Sequence, residues 1–325
     1  MSGLLIDDLS TSTIHAFSSI ETSGVKKGSI INTFATASSI SQCLRDIEHQ
    51  SGFKIKEILV SISGEEVSST NSVGQAAISE NEVSARDIEN ALNMSSTLKI
   101  PNDKTLLYVV PNSFFIDGQG NIDDPLGMNG IKLEARSHLI HCSKNTKDNI
   151  KKCLKVSSSD IGIRKYFYSQ LGVAHSVLTD YQKKLGVCVL DIGAGTTDIS
   201  VYQNGSITFS KVLPYAGDYI TEIIASALDI QSSDAEAIKK KYGSAFSDNI
   251  NDEMLKISVE NGKKSISRKA LAGLIENPMS KILRHCLNSL EENNLLNNIS
   301  EGIVITGGSA NMEGMVKLGE KLSNL

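Results

Sequence analysis

Asp191 and the glycines after it, in Asp191-Ile-Gly193-Ala194-Gly195-Thr196-Thr197-Asp198, are the residues of this chain best suited to chemistry on a phosphate. Two glycines in three residues let backbone N–H groups approach a ligand with no Cβ in the way, which is what a phosphate cradle requires. A carboxylate at the head of such a turn can hold a magnesium ion, or its water, against the same oxygens. Gly307-Gly308-Ser309 is a second glycine turn, suited to letting a flat ring approach the backbone. Glu236 and Lys239 stand at i and i+3, so on a helix they share a face and could reach ribose hydroxyls or a base edge. Plainer readings stand beside these. Gly and Asp make ordinary hairpin turns, and a Glu–Lys pair decorates many solvated helices. Other phosphate loops fit less well. No G-x-x-x-x-G-K-[ST] occurs, Gly24-Val-Lys-Lys-Gly28-Ser29 having the wrong spacing. A dinucleotide fingerprint needs a helix straight after its glycines, where this pattern continues as a strand.

These residues need elements to hold them. Gly186 to Leu190 is a short, Val-rich apolar run that reads as a buried strand, and Thr196 to Tyr202 alternates as a second. Ser206–Leu213 extends the strand pattern, and Gly302–Met315 reads as strand, glycine turn and helix, the helix covering Met312–Lys321. In an open α/β sheet such strand ends converge on one crevice, so Asp191–Thr197 and Gly307–Ser309 should face each other across it. Between them, Pro214–Thr221 opens a helix to about Leu228, Ser233–Tyr242 is a polar helix, and Ser267 caps a long helix, Lys269–Leu295, with a kink at Pro278.

The first half is also α/β. Phe34–Gln50 reads as a helix stopped by Gly52, and Glu57–Ser63 as a strand. Val67 to His138 is a separate small unit: a capping box at Ser84–Asp87 starts a helix to about Ser96. Leu106–Val110 is a strand closed by Pro111, Phe114–Asp117 another, Gly118–Gly130 a loop, and Ile131–Leu139 a half-exposed strand. Asn149–Val156 and Tyr166–Thr179 read as helices.

Composition narrows the function. At 325 residues there is room for two domains, and 40% hydrophobic with 21% charged residues is globular. A net charge of −5 and the absence of Trp argue against nucleic acid as the main partner. The five cysteines are scattered with no C-x-x-C pair, so neither a disulfide framework nor a zinc knuckle is signalled. His141 and His175 lack metal-ligand spacing, and no apolar run is long enough to span a bilayer.

At these motifs the chain resembles the actin / Hsp70 / sugar-kinase ATPase superfamily, and within it the FtsA family of bacterial cell-division proteins. Asp191–Asp198 is similar to the second phosphate motif, Pro214–Asp218 with Gly217 to the segment after it, Ser233–Lys239 to the adenosine-contacting helix, and Ile303–Gly308 to the adenosine motif. Gly24–Gly28 and Glu57–Gly64 resemble the family too. The resemblance implies an α/β, actin-like two-lobed ATPase fold with a small α+β subdomain inserted in the first lobe. The first lobe would comprise 1–65 and 139–184, the inserted interaction subdomain 66–138, the second-lobe core 185–231 and 300–325, and its upper subdomain 232–299. ATP and Mg2+ would bind Asp191, Gly193, Ala194, Gly195, Thr196, Thr197, Gly217, Glu236, Lys239, Gly307, Gly308 and Ser309, with Asp191 anchoring the magnesium water. It implies a scaffold that polymerises, binds the FtsZ C-terminal tail through 232–299 and links it to the cytoplasmic face of the inner membrane at the septum. Other division proteins would meet the small subdomain. Turnover of ATP would be slow at most, since no water-activating base stands out.

Two departures accompany the resemblance. The first phosphate motif is at best Asp8-Leu9-Ser10-Thr11, with a Cβ at Ser10 where a glycine belongs; alternatively the first strand is missing and Leu4–Phe17 belongs to a later one. The family's last core elements and C-terminal amphipathic membrane helix are not found after the adenosine motif. The rival readings are a small-molecule kinase of the same fold, a pilus-assembly ATPase of related architecture, or a scaffold with weakened nucleotide binding.

Overall fold

The computed structural model describes residues 1–6, 13–97, 100–158, 160–248, 250–260 and 262–323. Asp8 to Ser12, the stretch that would carry a first phosphate motif, lies outside the described residues.

The chain opens with an antiparallel pair, β1 (Ser2–Ile6) and β2 (Ile14–Ser19), then a short pair, β3 (Val25–Lys26) and β4 (Ser29–Ile30). Next comes α1 (Thr33–Ser51): the Asn32 side chain accepts from the Ala35 N–H at its start, and Gly52 ends it at φ +73°. After β5 (Glu57–Ile62) and β6 (Ser68–Ala77), the Ser84–Asp87 capping box starts α2 (Ala85–Ser96). Then follow β7 (Lys104–Ile116), β8 (Gln119–Ile122), β9 (Lys132–Ser143), α3 (Lys144–Ser157), β10 (Gly162–Tyr168), α4 (Ser169–Val177) and α5 (Asp180–Leu185). Three strands, β11 (Val187–Ile192), β12 (Thr197–Gln203) and β13 (Ser206–Leu213), lead into α6 (Gly217–Leu228) and α7 (Ser232–Tyr242). The hairpin β14 (Met254–Val259) and β15 (Gly262–Ser267) precedes α8 (Arg268–Glu292), and β16 (Ile303–Thr306) and α9 (Met315–Ser323) close the chain.

Three local expectations give way. β7 runs straight through Pro111, which is exposed; β8 pairs with β7 only at Phe114 and Ile116, so Pro111 withholds no ladder N–H on that side. The expected loop after Gly118 contains β8. Tyr166–Tyr168 ends a strand rather than starting a helix: β10 pairs in parallel with β5, where three aromatics in a row suit a sheet better than a helix.

The chain divides into two compact units, Met1–Ser68 with Lys99–Tyr108 and Ile140–Ser169, and Ser69–Leu98 with Val109–Leu139 and Gln170–Leu325. In the first, α1 lies on β1 and β2 over Ala16, Cys43 and Ile47, so close that a Cβ at Gly3 would sit 2.6 Å from Ile47 Cδ1. The second contains a four-stranded sheet ordered β13-β12-β11-β16, with β11 parallel to β16 and the other pairs antiparallel. Val187 to Leu190 of β11 are all buried, and Cys188 and Leu190 belong to a core that includes Ile220, Ile224, Leu271, Ile275 and Met279. That is why β11 reads as an unbroken apolar run. Ile78, Val83, Ala91, Phe114, Ile116, Leu133 and Ala135 form a separate small core in the same unit.

Candidate functional site

β11 and β16 run side by side in the same direction, with Asp191 opposite Thr306, so the two glycine turns leave adjacent strand ends. The first turn is closed by the Gly193 N–H donating to Thr196 O at 3.0 Å. Its carbonyl at Gly193 then collects two further donors: the Gly217 N–H at 3.1 Å and Ser309 Oγ at 3.1 Å. The Asp218 N–H donates to Ala194 O at 2.7 Å. Two segments distant in sequence, Gly217–Asp218 and Ser309, are thereby tied to one short turn.

Gly307 shows how tightly. Its φ is +89°, and a Cβ there would stand 2.5 Å from Asp191 Oδ1 and 2.6 Å from Ile192 O. Only glycine permits this approach. At Gly217 a Cβ would meet Ser309 Oγ at 2.9 Å and Gly193 O at 3.2 Å. Gly193 and Gly308 are less constrained: neither has a left-handed φ, and nothing lies within 4 Å of a Cβ at Gly308. The N–H groups of Ala194, Gly195 and Thr196 donate to no acceptor among the described residues. Successive unused amides at a hairpin tip are the donor set an anionic oxygen needs.

Asp191 is half-buried at the rim of this turn. Gln170, 1% exposed, donates from Nε2 to Asp191 Oδ2 at 2.9 Å, while its buried Oε1 has no partner among the described residues. A buried acceptor without a donor is costly, so Gln170 marks a place for a water or ligand hydroxyl beside Asp191. Gln170 is absent from the sequence-derived set because Tyr166–Thr179 reads as one helix; once β10 is seen to end at Tyr168, Gln170 falls at a strand–helix junction, where α/β folds gather ligand-facing groups.

Other residues of that set do structural work. Thr197 is fully buried, and its hydroxyl donates to Tyr215 O at 2.8 Å, securing the segment before Gly217. The Thr196 hydroxyl donates to Asp198 Oδ2 at 3.2 Å. Lys239 is 6% exposed, so the solvated-face reading fails for it. Its ammonium donates to Gly217 O at 2.9 Å and Thr221 Oγ1 at 2.8 Å and pairs with the Glu236 carboxylate, which occupies all three of its protons. Lys239 is therefore a strut under the Gly217 turn. Glu236, a third exposed, also accepts from Thr221 and pairs with Lys240 at 3.2 Å. Burial alone would raise its pKa, but the hydrogen bonds from Lys239 and Thr221 prevail and hold it below the usual carboxylate value.

No group of three or more potential metal ligands occurs among the described residues. A lone carboxylate beside free amides nevertheless fits magnesium, which keeps most of its waters and borrows phosphate oxygens.

Residues 188–325 match the family described as cell division protein FtsA, and residues 64–141 match the SHS2 domain inserted in FtsA. A cell division protein FtsA from Pseudomonas aeruginosa is 35% identical over 305 residues, covering 93% of this chain and 73% of that protein. The Escherichia coli K12 FtsA is 31% identical over 309 residues, with 92% and 73% coverage. The chain belongs to the FtsA family. It is thus an actin-like cell-division protein, and the kinase and pilus-ATPase readings fall away. Among solved structures, the PilM–PilN type IV pilus biogenesis complex has a chain that superposes with a TM-score of 0.67 at 13% identity, covering 100% of this chain and 83% of that one, a likeness of fold. No helix of the described residues is long and apolar enough to cross a membrane.

Proposed function

We propose that this FtsA-family chain binds ATP with Mg2+ over the Asp191 turn and serves as a division scaffold that joins FtsZ to the membrane. The observation that carries the nucleotide half is the Gly193 carbonyl, on which the turns at Gly217 and Ser309 converge. In this reading the amides of Ala194, Gly195 and Thr196 hold phosphate oxygens, and Asp191, oriented by Gln170, holds a magnesium-bound water. Gly307 and Gly308 provide the close approach for adenine, and Glu236 faces the ribose while Lys239 braces it. The bound magnesium supplies charge neutralisation at the phosphates. Gln170 Oε1 can orient a water, and turnover of ATP is slow at most.

The second half concerns partners. The FtsZ C-terminal tail docks on 232–299, a reading supported by a cavity of about 300 Å³ lined by Phe246, Ile250, Met312 and Val316 at one border of that segment. Like other actin-like proteins, the chain self-associates, and the inserted domain at 64–141 offers its surface to further division proteins. It acts on the cytoplasmic face of the inner membrane at the septum.

Titration calorimetry with Mg-ATP tests the nucleotide site: Asp191→Ala should abolish binding while the melting transition persists, and unchanged affinity refutes the assignment. Co-sedimentation with an FtsZ tail peptide tests the partner: Phe246→Ala should release the peptide, and retention removes the cavity from the reading.

A further inference from the structure

Although the chain carries a net charge of −5, seven of the residues in 144–165 are Lys or Arg and two are acidic. The helix α3 presents most of them. Cys153 and Leu154 point into the protein, and the opposite face carries Lys144, Lys151, Lys152 and Lys155, all exposed, with Asp148 among them. None of these four lysines forms an ion pair among the described residues. Uncompensated like charges on one face repel each other and favour an anionic partner.

Exposed apolar side chains stand where α3 meets the start of α1. α3 packs against α1 and β4, and Cys153 Sγ donates to Thr33 O at 3.5 Å. Thr33 is flanked by Ile31, 68% exposed, and Phe34, 76% exposed, and one turn beyond Cys153 stands Val156, 58% exposed. Three large apolar side chains left in water around the contact between α1 and α3 differ from the scattered exposed residue that any surface shows.

We infer that the outer face of α3 and the start of α1 form a docking surface for an anionic lipid bilayer. Both halves of the patch suit that occupant. Lysines on long stems reach the headgroup phosphates, and Ile31, Phe34 and Val156 enter the acyl boundary. A purely acidic protein surface would match the charge and leave the exposed aromatic in water. A polybasic patch of this size binds weakly and reversibly, so it orients a chain held to the membrane by other means rather than anchoring it alone.

The whole chain is sedimented with phosphatidylglycerol-rich and with pure phosphatidylcholine vesicles at low and high salt. The expected result is binding to the anionic vesicles alone, weakened by salt. Lys151→Glu/Lys152→Glu/Lys155→Glu should weaken it about a hundredfold or more. These side chains are exposed, so the melting transition is kept. Phe34→Ser should lower binding by a smaller factor that salt does not alter. The charge-matched change Lys256→Glu/Lys263→Glu/Lys264→Glu, on the β14–β15 hairpin, should have little effect. Failure of the wild-type chain to bind, equal binding to phosphatidylcholine, or equal loss in the hairpin variant each overturns the inference. So does a triple variant that still binds vesicles while its lipid-free self-association is lost, which would make the patch an interface between copies.

Discussion

Gly307→Ala tests the architecture on which the nucleotide reading depends. At φ +89° and ψ 172° the backbone is in a region that is essentially glycine-only, and holding an alanine there costs ~1–3 kcal/mol. The new methyl would also stand 2.5 Å from Asp191 Oδ1 and 2.6 Å from Ile192 O. One of these is backbone within a buried strand end and cannot swing away, so relieving the clash costs a further ~1–3 kcal/mol. The total, about 2–6 kcal/mol, is a large part of the ~5–15 kcal/mol that holds a domain folded. Gly308→Ala is the control, since nothing lies within 4 Å of its Cβ and its φ is unexceptional; its cost should stay within about 0.5 kcal/mol. Urea denaturation of both variants, with and without Mg-ATP, reads the difference. Gly307→Ala should shift the midpoint down sharply, and where it remains folded it should lose the stabilisation that ATP confers on the wild type. Equal midpoints for the two variants would refute the claim that the turns at Asp191 and Gly307 are pressed together.

Gln170→Leu removes the hydrogen bond to Asp191 and should weaken Mg-ATP by about tenfold or more, read by fluorescence titration, because a bond to a charged acceptor is worth ~1.5–3 kcal/mol. Lys239→Met should destabilise by about 1–3 kcal/mol in urea titrations, since it leaves the Gly217 carbonyl without the Lys239 donor and the Glu236 carboxylate with only Thr221 and Lys240. Glu236 has a depressed pKa when folded, so the stability it contributes is complete above its unfolded value of 4.5 and is lost as pH falls through the lower folded value. Glu236→Gln should flatten that part of the acid profile, measured as urea midpoints across acidic pH. Burial pushes the Cys286 thiol up to about 12, and all five cysteines are buried, so native chain should resist a thiol reagent that reacts fully after denaturation.

Much of the fold was legible because it follows from local chemistry. Apolar run length marks β11 and β16, the Ser84–Asp87 box marks α2, and Asn32 and Gly52 bracket α1. β10 was not legible as a strand, since its partner β5 is about a hundred residues earlier and Ile-Arg-Lys-Tyr-Phe-Tyr carries no clean alternation. Sequence alone ends the strand at Pro111, whereas β7 continues through it, because whether a proline breaks a strand depends on which edge its missing N–H faces, and only neighbours decide that.

The amino-acid order alone determined which residues could make phosphate-type turns and which strands would deliver them, because glycine spacing and apolar periodicity act over a few residues. Tertiary structure decided their use. It brought the Gly217 and Ser309 donors to one carbonyl at Gly193, and it buried Lys239 as a brace instead of leaving it in solvent. It also set Gln170 against Asp191. Hydrogen bonds between residues twenty to more than a hundred positions apart exist only once the chain is packed, and no periodicity in the sequence records them.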